Sequence, residues 1–268
     1  MTSSDDIPNN ASPARAVPRS LALALFFVAL VAALLAVYFA SEATKAEANA
    51  EILKDGVDRS GLPVDQAVAL AQLSLSRSAP VPEGEGHDHD HSHVSPTYDF
   101  TPEEQAAFDA QWAAAVARVD ELDTLDEIEA LGYVKASGHT DGSGSHYINW
   151  HMVDRPFDPA YPSMLLFEQL VRGEEPKLIA YSYWVASDGP PEGFVGGLDS
   201  WHRHLGVCFV NGMIADENLE RHECVGDWFN GVDLWMLHAW VVPGVENEYG
   251  IFHNVNPLLC EHACGLED

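Results

Sequence analysis

The stretch Ser200-Trp201-His202-Arg203-His204-Leu205-Gly206-Val207-Cys208-Phe209-Val210 decides how the C-terminal half is read. Its alternation predicts a β-strand over Trp201 to Val210, on which every second side chain points the same way. His202 and His204 then share a face about 7 Å apart, a spacing that two ligands of one ion bridge with modest twist. Cys208 falls on that face too. No acidic residue in the strand is available to satisfy the two imidazoles, and burying them unsatisfied is costly. A bound cation would satisfy them, and neutral imidazole is a common ligand for transition metals.

Outward from this stretch the same period-two pattern recurs. Strands are expected over His146–Val153, Met164–Val171, Leu178–Ala186 and Leu234–Val242, separated by turn formers at Asp158-Pro159, Asp188-Gly189-Pro190-Pro191 and Pro243-Gly244. Five strands with short connections suggest a mainly antiparallel sheet, curled or barrel-like. Helices come first. Thr101-Pro102-Glu103-Glu104 is a capping box with proline at the first helical position, and Phe108, Trp112, Ala115 and Val119 form the buried face of a helix ending near Val119. A second box, Thr124 with Glu127, opens a short helix that Gly132 ends. Gly138 to Ser145 reads as a Gly/Ser/Asp loop. The fold class is α+β, with helices packed on the sheet.

Residues 1–20 are polar and patternless, and are expected in the cytoplasm. Leu21 to Ala40 contains no charge and no proline. At 1.5 Å per residue it spans about 30 Å, the thickness of the hydrocarbon core of a bilayer. Arg15 and Arg19 precede it, so the positive-inside rule makes it a signal anchor with the C-terminal domain outside the cytoplasm, although Lys45 opposes that orientation. The competing reading is a signal peptide cleaved near Ala40-Ser-Glu-Ala. Residues 41–78 read as a helical stalk in two pieces, broken at Gly61-Leu62-Pro63, with Val68, Ala71 and Leu75 as an apolar stripe. Residues 79–97 form a linker by composition. Within it His87, His89, His91 and His93 alternate with Asp88, Asp90 and Ser92, a chelating tract for Zn²⁺, Ni²⁺ or Cu²⁺ that geometry selects little among. Residues 98–268 form the main domain.

The chain of 268 residues carries a formal net charge of −29. From Tyr98 on there are 30 acidic and 7 basic residues. That argues against nucleic acid, whose binding needs phosphates neutralised by Lys and Arg, and against docking on an anionic lipid surface. There is no glycine-rich phosphate loop and no nucleophile elbow.

The remaining ligand candidates are single histidines. His146 and His238 each start or centre a strand of similar alternation, and with His202 and His204 they make the expected metal set. His151 faces away from His146. Glu168, in Leu-Leu-Phe-Glu, is a possible ligand, orienting group or general base. His253 lies in a loop after the last strand and either closes the pocket or ends the domain; His139 and His222 read as loop residues. A lone histidine on an apolar strand is more often a hydrogen-bonded core residue, so a structural module without metal is one alternative. An enzyme with an open three-histidine site is the other. The four cysteines, Cys208, Cys224, Cys260 and Cys264, lie in the part expected outside the cytoplasm, where disulfides are favoured. Separation favours Cys208–Cys224 and Cys260–Cys264, among three possible pairings. Cys208 as a metal ligand, or Cys260-Glu261-His262-Ala263-Cys264 as a small metal clip, are the competing readings.

Gly132-Tyr133, His146-Tyr147-Ile148-Asn149, Leu237-His238-Ala239-Trp240, Gly250-Ile251-Phe252 and Asn256-Pro257 occur in an order that resembles a family of bacterial secreted or membrane-anchored proteins of unknown function. The similarity covers about residues 125–260 and implies no activity; where that family has Glu-Tyr, this chain has Ser182-Tyr183. Trp201-His-x-His and Leu237-His-x-Trp resemble more loosely the plant oil-body-associated proteins. Gly197 followed by His202-x-His204 is similar to the first motif of cupins, which implies metal held by two histidines and a glutamate in a β-barrel. The glutamate is absent, since Leu205 to Asn211 holds no acid, and only Pro243, Gly244 and His253 echo the second motif. The expected function is binding of a transition metal, zinc or copper.

Overall fold

The structure, a computed structural model, describes residues 35, 38–41, 43, 61–77, 79, 97–153 and 155–259. The chain divides into two units, 1–51 and 52–268. Of the first, the described residues 35, 38–41 and 43 are helical. Most of the expected anchor and the whole His87–His93 tract lie outside the described residues, as do Cys260 and Cys264. Among the described residues no helix is long and apolar enough to cross a membrane.

In the second unit both capping boxes form with both arms. Thr101 accepts from the Glu104 N–H and opens α2 (Pro102–Val116); Thr124 does the same with Glu127 and opens α3 (Leu125–Ala130). A helix ahead of them, α1 (Val64–Ser76), begins directly after Pro63. Its buried residues are Gln66, Ala67, Leu70, Ala71 and Leu73, so this part of the expected stalk is built into the folded body.

Among the described residues nine strands follow: β1 (Val134–Thr140), β2 (Gly144–Ile148), β3 (Met164–Glu168), β4 (Lys177–Ala186), β5 (His202–Arg203), β6 (Val207–Val210), β7 (Met213–Asp216), β8 (Asp227–Phe229) and β9 (Leu234–Ala239). Six make an antiparallel sheet in the order β1-β2-β3-β4-β9-β5, curled into a half-barrel. β7-β6-β8 make a second, three-stranded sheet. The α+β expectation holds, and the central strands stand near their expected places.

The large sheet is covered on both faces, which is why β3 and β4 are buried along almost their whole length. Tyr147, Leu165, Tyr181, Tyr183 and Leu237 pack with Phe108, Ala115 and Ile128 of α2 and α3. The alternate residues Ile148, Met164, Trp184 and Met236 pack with Leu70 and Leu73 of α1 and with Phe209 and Phe229 of the small sheet. His146, His202 and His238 stand on this second face, between the sheets.

Three expectations about the sheet fail. The strand expected over His146–Val153 ends at Ile148 and gives way to a turn, so His151 stands on no strand face. Gly138 to Ser145 is not all loop, because β1 runs to Thr140 and pairs with β2 through an irregular register. Trp201 to Val210 is not one strand. It breaks at Leu205-Gly206 into β5, paired to β9, and β6, which belongs to the other sheet. Gly206 has φ +63°, and a Cβ there would overlap the Leu219 carbonyl oxygen. Alternation continues in sequence across this residue, but the chain turns, so Cys208 leaves the face of His202 and His204. It forms a disulfide with Cys224, with Cα atoms 5.5 Å apart.

Candidate functional site

A cavity of about 470 Å³ opens between the sheets, lined by His139, His146, His202, His204, His238 and His253 among others. β2 supplies His146, β9 supplies His238, and β5 presents His202 opposite Met236. Arg203, pointing the other way, fixes β5 by donating to the Val232 carbonyl at 2.8 Å and lying over the Trp235 ring at 4.7 Å. His204 follows, and its ring lies 5.1 Å from that of His202. The His238 ring is 5.4 Å from His202 and 5.9 Å from His146. Two imidazoles on one tetrahedral ion, each bound through a nitrogen at 2.0–2.1 Å, place their ring centres about 5 Å apart. The four expected metal residues thus lie side by side. Among the described residues, however, no three His, Cys, Asp or Glu side chains are gathered around one ion-sized point.

The hydrogen bonds of most of the rings follow one rule. The Ser137 hydroxyl donates to the Gly138 carbonyl at 2.8 Å, so it can only accept from its other neighbours. It accepts from the His146 backbone N–H at 2.9 Å and faces His146 Nδ1 at 3.0 Å, which therefore carries the proton. His238 Nδ1 lies 2.7 Å from the Asn254 carbonyl, His202 Nδ1 3.3 Å from the Ser200 carbonyl, and His253 Nδ1 2.9 Å from the Val255 carbonyl. Carbonyls only accept, so Nδ1 of His238 and of His202 is protonated; His253 Nδ1 also faces the Val255 N–H, a donor, at 3.3 Å, so its two neighbours call for opposite tautomers. His204 Nδ1 meets the Glu217 carboxylate at 2.5 Å, and His139 Nδ1 meets that of Glu168 at 2.7 Å. Nδ1 thus carries the proton in His139, His146, His202 and His238. In a neutral ring this leaves Nε2 as the lone-pair nitrogen, the tautomer that a metal ligand presents.

Burial keeps two of these rings neutral. It depresses His146 to about 4, with neighbouring His204 adding to the effect and Glu217 opposing it. Burial depresses His238 to about 3, helped by His146 and opposed by the bond to Asn254. Among the described residues His238 Nε2 is buried without a hydrogen-bond partner, and so is Oγ of Ser182, its cross-strand neighbour. Each such atom costs about 1–3 kcal/mol if nothing meets it.

Glu168 ends β3, away from the four-ring array, and reaches the cavity through His139. Its other oxygen accepts the Gln169 N–H at 2.8 Å. His139, expected in a loop, is on β1 at the rim. His253 does line the cavity. Cys208 lies in its disulfide, which leaves no thiolate from it for an ion. His222 is exposed beside Glu220, and His151 is exposed near Asp65.

Glu217 is the residue least visible in the sequence. Its signal is Asn211-Gly212, a pair with positive φ at both positions that closes the β6–β7 hairpin. Read as a turn, it sets Asp216 opposite Cys208 and brings Glu217 back towards His204. No family model, curated protein or solved structure matches the chain.

Proposed function

We propose that this protein binds one transition-metal ion, zinc or copper, at His146, His202, His204 and His238. The observation that supports the reading most is the common hydrogen-bonding of His146, His202 and His238, each held through Nδ1 with Nε2 left as lone pair. Ligating histidines donate their second ring N–H in this way to carbonyls and carboxylates. A histidine that only fills a core has no need for neighbours oriented alike. The unpartnered Nε2 of His238 adds to this, and so does the acidic lining from Asp141 and Glu217. Four imidazoles without thiolate suit Zn²⁺ or Cu²⁺ better than a soft monovalent ion.

The test is elemental analysis of the purified full-length chain without an affinity tag, with His87, His89, His91 and His93 replaced by alanine. About one equivalent of zinc or copper should survive mild chelation. It should be lost when His202→Ala and His204→Ala are combined. A folded parent without metal, or a double variant that keeps its full equivalent, would overturn the assignment. In this reading the His87–His93 tract captures the same ion, and restoring it should add weaker equivalents in a titration; no added binding removes it from the scheme.

The placement outside the cytoplasm, on an anchor at residues 21–40, belongs to the same proposal. The Cys208–Cys224 disulfide supports it, because such bonds persist in oxidising compartments. Protease added to intact cells should cleave the chain beyond the anchor, and full protection would refute the orientation.

A further inference from the structure

The cavity between the sheets is larger than one ion requires. A water's share of liquid volume is about 30 Å³, while the cavity measures about 470 Å³ and lies in the range of small-molecule sites. The rings of His146, His202, His204 and His238 stand with neighbouring centres 5.1 to 5.9 Å apart. Among the described residues no three ligating side chains are gathered around one ion-sized point. A ligand of several atoms can reach lone pairs that are spread in this way.

The lining sets what such a ligand must carry. His238 is 5% exposed. Its Nδ1 donates to the Asn254 carbonyl at 2.7 Å, so Nε2 can only accept, and among the described residues Nε2 has no hydrogen-bond partner. Burial depresses the pKa of this ring to about 3, which keeps Nε2 an acceptor at neutral pH. His146, 5.9 Å away, is a second ring kept neutral by burial, with its proton on Nδ1. Asn254 also lines the cavity, and its Oδ1 is buried without a partner among the described residues. These atoms call for donors. Charge narrows the choice further. Asp141 and Glu217 line the cavity and no Lys or Arg does, so anions are repelled and cations attracted. The Glu217 carboxylate is held at the array by His204 Nδ1. Ile214, Met236 and Val255 offer apolar surface for a carbon body.

We infer that the cavity binds a small organic amine as its ammonium ion, which donates to His238 Nε2 and rests its carbon body on the apolar wall. A hydrogen bond from an ionised donor is shorter and stronger than one between neutral groups, so the buried lone pair gains most from a cation. The inference does not depend on the metal reading. An ammonium and a metal ion would compete for the same lone pair, and the experiment is done on the metal-free chain.

The test uses the full-length chain with His87, His89, His91 and His93 replaced by alanine, stripped with chelator and dialysed. Hexylammonium chloride is titrated into it by calorimetry at neutral pH and about 0.15 M salt, where diffuse attraction to the acidic surface is screened. Binding should saturate at one equivalent. Hexanol, alike in length but uncharged, should bind about tenfold more weakly, and hexanoate not at all. His238→Phe keeps the bulk of the ring and removes the acceptor, so hexylammonium should bind about 10–100-fold more weakly, the range for a hydrogen bond to a charged group. Glu217→Gln should weaken hexylammonium severalfold and leave hexanol unchanged, a split that a merely structural change would not give; this variant decides the matter if His238→Phe does not fold. No binding of hexylammonium by the folded chain, equal binding of all three probes, or unchanged affinity in a folded His238→Phe overturns the inference. A chain that takes up its metal but binds no hexylammonium leaves the metal reading standing. One that binds hexylammonium and takes up no metal overturns that reading alone.

Discussion

Acidification should destabilise the metal-free protein through two named histidines. In the unfolded chain His146 and His238 titrate near 6.5. In the fold, burial holds them to about 4 and about 3. Between these limits the unfolded state binds more protons, so stability rises with pH and is lost as pH falls from 6.5. Each contributes a slope of about 1.4 kcal/mol per pH unit, so the pair removes about 4 kcal/mol between pH 6.5 and 5. One carboxyl works against them. Asp199, whose Oδ2 accepts from the Trp201 indole N–H at 3.3 Å, is raised to about 7 by burial. Its proton is bound in the folded state over the same window, so it adds about 2 kcal/mol as pH falls. The net loss expected is about 2 kcal/mol. Urea midpoints followed by tryptophan fluorescence in chelator at pH 6.5 and 5 measure it. Asp199→Asn should double the loss to about 4 kcal/mol, and combining His146→Gln with His238→Gln should turn it into a gain. An acid limb that is the same with and without the two histidines would refute the reasoning.

Other perturbations test the architecture. Replacing Cys208 and Cys224 by serine opens a loop with a separation of 16 residues, and should lower unfolding free energy by about 3 kcal/mol in denaturant titration; an unchanged midpoint would mean that the small sheet does not need its clamp. Gly206→Ala meets both a positive φ and the Leu219 carbonyl, so backbone strain of about 1–3 kcal/mol is a lower bound on the loss, read as a drop in Tm. Glu217→Gln keeps the shape but weakens the hold on His204 Nδ1. Metal affinity by competition with a chelator should fall 10–100-fold, and an unaltered affinity would detach Glu217 from the site.

Periodicity made the core legible. β3, β4 and β9 are where alternation of apolar residues puts them, while β2 shares only His146–Ile148 with its expected span, and Thr101 and Thr124 open helices because a capping box satisfies donors that any helix start leaves free. The four-histidine set was legible for the same reason, since alternation assigns faces. What alternation cannot report is a change of direction. Gly206 sits in step with its neighbours, yet its backbone sends Val207 to Val210 into another sheet. His139 was hidden because β1 is short of apolar residues beyond Ala136 and joins β2 through an irregular register. Glu217 was hidden because an acid after a hairpin looks like every other acid in so acidic a chain.

The hydrogen bonds that hold the rings also have a bearing on when the site exists. His146 depends on Ser137, His204 on Glu217, His238 on Asn254 and His139 on Glu168, separations of 9 to 29 residues that join distant parts of the chain. No fragment of the chain contains the pocket in miniature, and an unfolded chain offers only loose imidazoles. Occupancy and folding are then one cooperative event. A ligand present at 100 times its dissociation constant adds about 2.7 kcal/mol to the unfolding free energy of the whole domain. A thermal melt becomes a ligand screen, in which any compound that fits the cavity announces itself by delaying collapse of a tertiary structure it barely touches.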